Sequence, residues 1–476
     1  MKELEGYLDK EKGIIDLTGY ERENWKIENL IQLIQDNQNV TILKLADTDI
    51  SCEDLQLLIQ SGALNNITEL DLSNNALADG DMSVIPFDKQ FLSKVTIIRL
   101  CNNCMENDDV EVIVQSNLVQ QLTILDLSGN EIENEGAESI ANADFENLIE
   151  LNLASNSIGD KGSDILTSKN LLELIKLNLS FNAITDEAMN DVYNYYKKEY
   201  GLENLEELYI GANSITAEGV RNLVDTKDCF ENLHTLSFDN VDCGDGFIRD
   251  EGVKAIVNSE GFPNLTNLSF AAQEITDTGV GYIVESKNLE NLEVLDIQYN
   301  NIHDEGMRDI ITSENLPALK KFCFGENLVY SITVMLVHKW GVGRDIEISF
   351  DADIDPLLKS IYTKNSQLEN DAQLVDDVQL MDVMWKLMDV CVKDKYGIKK
   401  GVAYVKSILD NKVQYPLNID TKDSQGRSFD DLDTQYSCLN MCLINRFPDH
   451  TFPCGDHTAL LSSELLGSTI SDGAEH

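Results

Sequence analysis

Residues 122–132 read Leu122-Thr-Ile-Leu125-Asp-Leu127-Ser-Gly-Asn130-Glu-Ile132, a frame of aliphatic residues closed by an asparagine. Residues 148–158, 205–215 and 292–302 repeat this frame with the same spacing. Eleven copies can be aligned between about residues 40 and 330, and most of them lie 26 to 28 residues apart. A fixed period in this range predicts a solenoid, in which each repeat buries its apolar side against the next repeat.

The asparagine position is expected to join neighbouring repeats. The alternation in Leu125-Asp126-Leu127 is typical of a short strand whose two leucines face the core, and the asparagine then turns the chain. Its side-chain amide can donate to backbone groups of the adjoining turn, and its oxygen can accept from them. Because Val241 at this position can do neither, its repeat is predicted to be irregular. The position is occupied by Asn75, Asn103, Asn130, Asn156, Asn182, Asn213, Asn300 and Asn327, and otherwise by Thr48, Val241 and Gln273.

The second half of each repeat is predicted to be a helix that begins near an aspartate. Asp186, Asp277 and Asp304 each precede a run with helical apolar spacing. An aspartate there would cap the free amides at the start of its helix and interact favourably with the helix dipole. The expected fold class is therefore α/β, with strands in a concave parallel sheet and helices on its convex back.

This pattern resembles the ribonuclease-inhibitor class of leucine-rich repeat proteins, in which Asp-x-Gly opens the helix and the period is near 27. That class also includes Ran GTPase-activating proteins and the sensor arms of NOD-like receptors. The resemblance covers about residues 14 to 350 and implies a leucine-rich repeat horseshoe of about eleven repeats. The chain differs from ribonuclease inhibitor itself, whose repeats are rich in cysteine, because its 476 residues include only 10 Cys.

Three segments are expected along the chain. Residues 1–39 contain an amphipathic run, Ile27, Leu30, Ile31 and Ile34, and would cover the leucines of the first repeat. Residues 40–351 would form the solenoid, ending in a capping strand at 346–350. Residues 352–476 are predicted to be a mainly helical C-terminal appendage with a flexible tail.

The charge of the chain limits the classes of partner that it is expected to bind. It has 84 acidic and 36 basic residues, a net charge of −48. Such a surface repels nucleic acids and anionic membranes and attracts basic proteins, although acids at helix starts also serve capping. The sequence has no segment like a signal peptide, no apolar run of ~18 residues and no compact disulfide framework. We therefore predict a cytoplasmic monomer without a cofactor that binds a basic protein, and neither nucleic acid nor membrane.

The outward strand positions are the predicted binding surface. These side chains can vary at little cost to the fold, whereas the leucines are constrained by packing. Tyr209 lies near the middle of the surface and would serve as an aromatic anchor, a role that interfaces favour. The candidate partner-binding residues are Asp71, Arg99, Asp126, Asn152, Asn178, Tyr209 and Asp296.

A non-enzymatic protein-interaction module is the leading prediction, and two other roles stay open. The resemblance to Ran activators implies a GTPase-activating or GTPase-binding protein, but no residue in the sequence singles out that activity. An acidic horseshoe with a short unrelated tail also resembles effectors that intracellular bacteria deliver into host cells, which would place it in the host cytosol. A shared fold does not decide between these roles.

The predicted appendage contains residues of the types that bind zinc. They are not arranged as a Cys-x2-Cys pair, and two of the cysteines also fit one apolar helix face. One of them, Cys454, stands in Cys454-Gly-Asp456, which resembles the nucleophile motif of bacterial leucine-rich-repeat ubiquitin ligases. Because Cys243-Gly-Asp245 repeats this tripeptide inside the solenoid, the motif is weak, and we predict no catalytic residue and no metal site. The zinc-type residues are Cys438, Cys442, Cys454 and His457.

Overall fold

The computed structural model describes residues 4–329, 337, 341 and 343–349, apart from gaps at 89, 197–201, 227–229 and 241–245. The predicted appendage at 352–476, its zinc-type residues and the Val241 position lie outside these residues.

Within the described residues, fourteen strands form one open sheet and are hydrogen-bonded in chain order. The first pair is antiparallel and every later pair is parallel. Each repeat therefore adds one strand beside that of the preceding repeat. The strands are β1 (Leu8–Asp9), β2 (Ile14–Asp16), β3 (Ile42–Lys44), β4 (Glu69–Asp71), β5 (Ile97–Arg99), β6 (Ile124–Asp126), β7 (Glu150–Asn152), β8 (Lys176–Asn178), β9 (Glu207–Tyr209), β10 (Thr235–Ser237), β11 (Asn267–Ser269), β12 (Val294–Asp296), β13 (Lys321–Cys323) and β14 (Glu347–Ser349).

Helices alternate with the strands and pack on their neighbours in chain order from α3 onward. The α-helices of the described residues are α1 (Ile27–Asp36), α2 (Cys52–Gln60), α3 (Asn107–Val114), α4 (Asn134–Asn142), α5 (Gly162–Leu166), α6 (Asp186–Tyr196), α7 (Ala217–Val224), α8 (Arg249–Val257), α9 (Asp277–Glu285) and α10 (Asp304–Thr312).

The core is built from the aliphatic frame. In a typical repeat, Leu125 and Leu127 are fully buried, while Ile124 and Asp126 on either side of Leu125 are half-buried on the outward face. The helix contributes Ile140, which is also fully buried. The predicted inward and outward positions are thus confirmed, and each buried aliphatic side chain contributes about 1.5–3 kcal/mol before ordering entropy is subtracted.

The repeat between β4 and β5 has two short 3-10 helices, Leu77–Asp79 and Met82–Val84, where the sequence pattern predicts an α-helix. Pro86 ends the second of these helices, because it lacks an amide proton and disfavours helical backbone in the residue before it. Ile85 accordingly has extended backbone, with φ −80° and ψ 117°.

The N-terminal segment adds two strands and a helix ahead of the first predicted repeat. β2 pairs in parallel with β3 and so continues the sheet by one strand. In α1, Ile27, Leu30 and Ile34 of the predicted amphipathic run are buried, and Ile31 is half-buried. Leu33 is buried as well, because it lies three residues after Leu30 and so shares its face of the helix.

The ladder asparagines, defined as the eight asparagines at the turn position, connect consecutive repeats. In Asn130, Nδ2 donates to the backbone oxygens of Leu127 at 2.8 Å and of Leu100 in the preceding repeat at 3.1 Å. Its Oδ1 accepts from the backbone amides of Asn103 at 2.9 Å and Met105 at 3.0 Å. Bonds in both directions to the preceding repeat recur at Asn75, Asn103, Asn156, Asn182, Asn213, Asn300 and Asn327.

Glutamine can replace the ladder asparagine. Gln273 Oε1 accepts from the backbone amide of Ile248 at 2.8 Å, and its Nε2 donates to the carbonyl oxygen of Phe238. Both partners belong to the preceding repeat, as they do for asparagine. The carboxamide of a longer side chain can therefore make the same contacts to the preceding repeat as asparagine does.

The aspartates at the helix starts cap the following helix, so the predicted capping partner was wrong. Asp186 is the first residue of α6, one residue beyond the position whose side chain caps that helix. Its Oδ1 accepts from the amides of Thr216 at 2.8 Å and Gly219 at 3.0 Å, at the start of α7. Asp250 and Asp277 bind the next helix start in the same way. These aspartates thus form a second set of contacts between repeats.

This capping contact explains the glycine of the Asp-x-Gly pattern. A Cβ atom on Gly219 would lie 2.3 Å from Oδ1 of Asp186, closer than any real contact. The same conflict would arise at Gly279 with Asp250 and at Gly306 with Asp277. The glycine therefore leaves room for the carboxylate of the preceding repeat.

We expect Gly219→Ala to lower the free energy of unfolding by about 1–3 kcal/mol through overpacking. In a helix interior, alanine is otherwise more favourable than glycine by about 1 kcal/mol. Helix propensity alone would therefore predict that this substitution raises the free energy of unfolding. Urea denaturation measures the change. Gly281→Ala in α9 is the control, because a Cβ there meets no atom within 4 Å, and it should be stabilising. A gain in stability for both variants would contradict the capping explanation.

Candidate protein-interaction surface

The predicted partner-binding residues form one row across the outward face of the sheet, here called the central row. Each of them is the last residue of its strand, and the parallel register aligns these residues with one another. Adjacent strands are about 4.8 Å apart, so neighbouring members of the row are within side-chain reach. In order, the row from β4 to β12 contains Asp71, Arg99, Asp126, Asn152, Asn178, Tyr209, Ser237, Ser269 and Asp296.

Two cations of this face, Arg99 and Lys176, are already paired with carboxylates. Arg99 Nη1 lies 2.5 Å from Oε1 of Glu69. Lys176 Nζ lies 3.2 Å from Oε1 of Glu150 and 3.9 Å from Oε2 of Glu207. These bonds link neighbouring strands across the sheet and offset the charges of these two cations.

Four outward carboxylates have no such partner. Among the described residues, no lysine, arginine or histidine nitrogen lies within 4.0 Å of Asp71, Asp126, Asp239 or Asp296. Their charges are therefore available to a cation supplied from outside the chain.

Several members of the central row also have a structural role that the sequence analysis missed. Oδ1 of Asp126 accepts from the amide of Ser128 at 3.0 Å and from its hydroxyl at 2.7 Å. Such a bond to the residue two positions ahead favours the turn that leads to the ladder asparagine. The same bond forms at Asp71, Asn152, Asn178 and Asp296. The choice of Asp or Asn in this row therefore reflects the turn as well as the surface.

Tyr209 is held in place by its neighbours. Its hydroxyl donates to Oε2 of Glu207 at 3.0 Å, and Lys176 Nζ lies 6.0 Å from the centre of its ring. Burial, together with the hydrogen bond to Glu207, raises the pKa of Tyr209 to about 12. The hydroxyl is therefore protonated at neutral pH, and the half-buried ring is fixed before any partner arrives.

The surroundings of Asp296 shift the pKa of its carboxyl. Burial raises the pKa of its carboxyl, and the nearby charge of Asp239 adds to this effect. The amide of Gln298 and its side chain partly oppose the shift by donating to the carboxylate at 3.0 and 2.9 Å, and the charge of Lys321 opposes it as well. A cation placed near Asp296 would lower this pKa again and so bind to the ionised form.

A depression of about 420 Å³ lies where strands β5 to β10 end, beside the central row. It is bounded by Phe181, Tyr209 and Asp239 and is otherwise lined by small or polar residues. The side chain of Phe181 is 40% exposed. The remaining lining residues are Asn102, Ser128, Gly129, Asn152, Ala154, Ser155, Asn178, Ser180 and Ser237.

Phe181 has an unusual backbone conformation for an aromatic residue. The residue before each described ladder position has positive φ, between 50° and 67°. This left-handed region favours Gly, Asn and Asp, and a bulky residue held there costs about 1–3 kcal/mol. Phe181 and Tyr299 are the aromatic exceptions, and Tyr299 is 51% exposed. Alignment of the repeats on their ladder position would have revealed both. The full set is Asp47, Asn74, Asn102, Gly129, Ser155, Phe181, Ala212, Ala272, Tyr299 and Glu326.

A larger cavity, of about 730 Å³, lies beside helices α7 and α8. Its cations, Arg221 and Lys254, each lie 3.9 Å from Oε2 of Glu251. Four acids, Asp225, Glu231, Glu251 and Glu260, line the cavity against these two cations, so its lining is weakly acidic.

Neither a metal site nor a membrane span is found in the part of the chain that the structure describes. Over these residues, no three His, Cys, Asp or Glu side chains are grouped as metal ligands would be. The helices of the same ranges are too short or too polar to cross a bilayer.

A comparison with known protein families agrees with this repeat architecture. The family model described as "Leucine Rich repeat" matches residues 63–85, 120–141, 146–162, 174–189 and 288–310. No curated protein sequence matches the chain significantly.

Several solved structures are similar to the chain. An internalin from Listeria monocytogenes has 18% identity and a TM-score of 0.44, with 72% of this chain and 88% of that chain covered. The mouse RP105/MD-1 complex has 14% identity and a TM-score of 0.40, with coverage of 75% and 66%. A leucine-rich repeat protein from Leptospira interrogans has 17% identity and a TM-score of 0.26, with coverage of 68% and 98%.

The repeated strand, ladder asparagine and helix, the open sheet and the five family matches all describe one architecture. The described residues therefore form a leucine-rich repeat solenoid.

Proposed function

We propose that this chain is a non-enzymatic protein-interaction module that binds a basic protein on the outward face of its sheet. The central row carries this proposal, because it combines carboxylates that have no cation partner with a fixed, partly exposed tyrosine. The row lies on strands that are hydrogen-bonded to their neighbours, so little conformational entropy would be lost on binding. The net charge of −48 would also steer a basic partner toward the protein.

The two kinds of residue in the row are expected to act at different stages of binding. Tyr209 offers a large rigid ring, and such residues usually dominate the energy of an interface. Asp126 and Asp296 lie on either side of it along the row, and partly exposed charges mainly affect the rate of encounter. We therefore expect Tyr209 to affect mainly the dissociation rate, and the two aspartates to affect mainly the association rate.

Tyr209→Ala should weaken partner binding by about 1–4 kcal/mol, mainly through faster dissociation. Reversal of Asp126 and Asp296 to lysine should slow association and reduce its dependence on salt. The full chain would serve as bait in a eukaryotic lysate, and surface plasmon resonance with the purified partner would measure both rates. Tyr282→Ala is the matched control, because Tyr282 is also half-buried and near a lysine, Lys254 at 4.9 Å, but lies in helix α9.

Unchanged rates for the Tyr209 and aspartate variants would overturn the proposal and direct attention to the helices or to residues 352–476. A small GTPase as the captured partner, with its hydrolysis accelerated, would instead favour the Ran-activator alternative. The cytoplasmic location and the origin as a bacterial effector stay predictions.

A further inference from the structure

We infer that the depression bounded by Phe181, Tyr209 and Asp239 receives an arginine side chain from an extended basic segment of the partner. This inference rests on the proposed function and identifies the type of partner side chain that contacts one part of the surface. It goes beyond the central row, because Phe181 and Asp239 lie outside that row.

The first argument is that the fold does not need a phenylalanine at position 181. Asn74 and Asn102 occupy the equivalent position in other repeats with the same left-handed backbone. Asparagine tolerates that conformation, whereas a bulky side chain is strained there. The ring of Phe181 is also 40% exposed and stacks on no other described aromatic ring, so burial does not compensate for the strain. Strained, exposed residues of this kind are typical of ligand contacts.

The second argument is the chemistry of the lining. Oδ1 of Asp239 accepts from the amide of Ala271 at 2.9 Å and from the hydroxyl of Ser269, which fixes the carboxylate. Its Oδ2 accepts no hydrogen bond from a described residue. No lysine or arginine is among the described residues that line the depression. The depression therefore offers an oriented carboxylate and two aromatic rings to a cation.

Arginine fits these groups better than lysine does. Its guanidinium is planar, so it can stack on the ring of Phe181 or Tyr209 while its N–H groups donate to the Asp239 carboxylate. The ammonium group of lysine is a compact point charge that cannot stack. Further basic residues of the same segment would meet Asp126 and Asp296 along the central row, so the occupant is an extended arginine-containing segment.

The test uses the full chain and three fluorescein-labelled twelve-residue peptides that alternate glycine with arginine, lysine or glutamate. Fluorescence anisotropy should show the arginine peptide binding about tenfold more tightly than the lysine peptide, and no binding of the glutamate peptide. Phe181→Asn and Asp239→Asn should each weaken arginine-peptide binding about tenfold and remove the preference over lysine.

Tyr299→Asn is the matched control, because Tyr299 has the same backbone conformation and similar exposure but does not line the depression. It should change peptide affinity less than about twofold, since it removes no group from the depression. Both Phe181→Asn and Tyr299→Asn should raise the urea midpoint, because each relieves backbone strain. Weaker binding by a more stable variant could not result from unfolding.

Equal binding of the arginine and lysine peptides, or unchanged affinity in Phe181→Asn and Asp239→Asn, would overturn the inference. A lower urea midpoint for Phe181→Asn would also overturn it, because the ring would then serve the fold. These failures are distinct from failure of the proposed function, which depends on the natural partner and on Tyr209, Asp126 and Asp296.

Discussion

Asn130→Ala should lower the free energy of unfolding by on the order of 3–5 kcal/mol, because it leaves several buried backbone groups without partners. The substitution removes donors to the carbonyls of Leu127 and Leu100 and an acceptor for the amides of Asn103 and Met105. These groups are buried or partly buried, so water cannot replace the lost bonds without opening the structure. An alanine also leaves a small cavity between the two turns.

Urea denaturation and amide hydrogen exchange would measure the effect. Asn142→Ala is the matched control, because the Asn142 side chain donates only to the backbone of Glu138 within its own helix and is exposed. We expect that variant to change stability by less than about 0.5 kcal/mol. Exchange should accelerate most at the strands on either side of Asn130, because each repeat is stabilised by its neighbours. Similar midpoints for the two variants would refute the role of the ladder.

Leu153→Ala should cost on the order of 2–5 kcal/mol, the range for truncation of a buried leucine. Leu153 is fully buried. Its backbone carbonyl oxygen accepts hydrogen bonds from the side chains of the ladder asparagines Asn156 and Asn182. The surrounding repeats are tied together by hydrogen bonds, which limits how far they can collapse into the cavity.

Asp126→Ala is the contrasting variant on the outward face. Its two hydrogen bonds are both to Ser128 in the same turn, and the residue is half-buried. Water can replace those bonds, so we expect a loss of less than about 1 kcal/mol. Chemical denaturation of both variants provides the comparison, and equal midpoints would contradict the inward and outward assignment.

The turn bonds of the central row affect how binding experiments are designed. Replacing Asp126 with alanine removes both a charge and the bond to Ser128, so a change in affinity would have two explanations. Asp126→Asn removes the charge and keeps a side-chain oxygen that can accept the same bond, as Asn152 and Asn178 do in adjoining strands. The pair of variants therefore separates electrostatics from turn geometry.

Much of the fold could be predicted from the sequence because its determinants are local and periodic. The spacing of Leu125, Leu127 and Asn130 recurs with each repeat, and strand alternation assigns each residue to the core or the surface. The regular period then places equivalent residues of successive repeats side by side. The same periodicity predicted that the members of the central row would be aligned, because they occupy equivalent positions in successive repeats.

The sequence by itself determined the repeat, the inward leucines and the position of the ladder. Only the tertiary structure decided which groups each polar side chain binds. Asp186 caps the next helix because it lies one residue beyond its own capping position, and Gly219 is required because that carboxylate occupies the space of a Cβ. The strain at Phe181 likewise depends on its φ of 57°, which residue type alone would not suggest. These contacts join residues about one repeat apart, and their geometry exists only once the repeats are stacked.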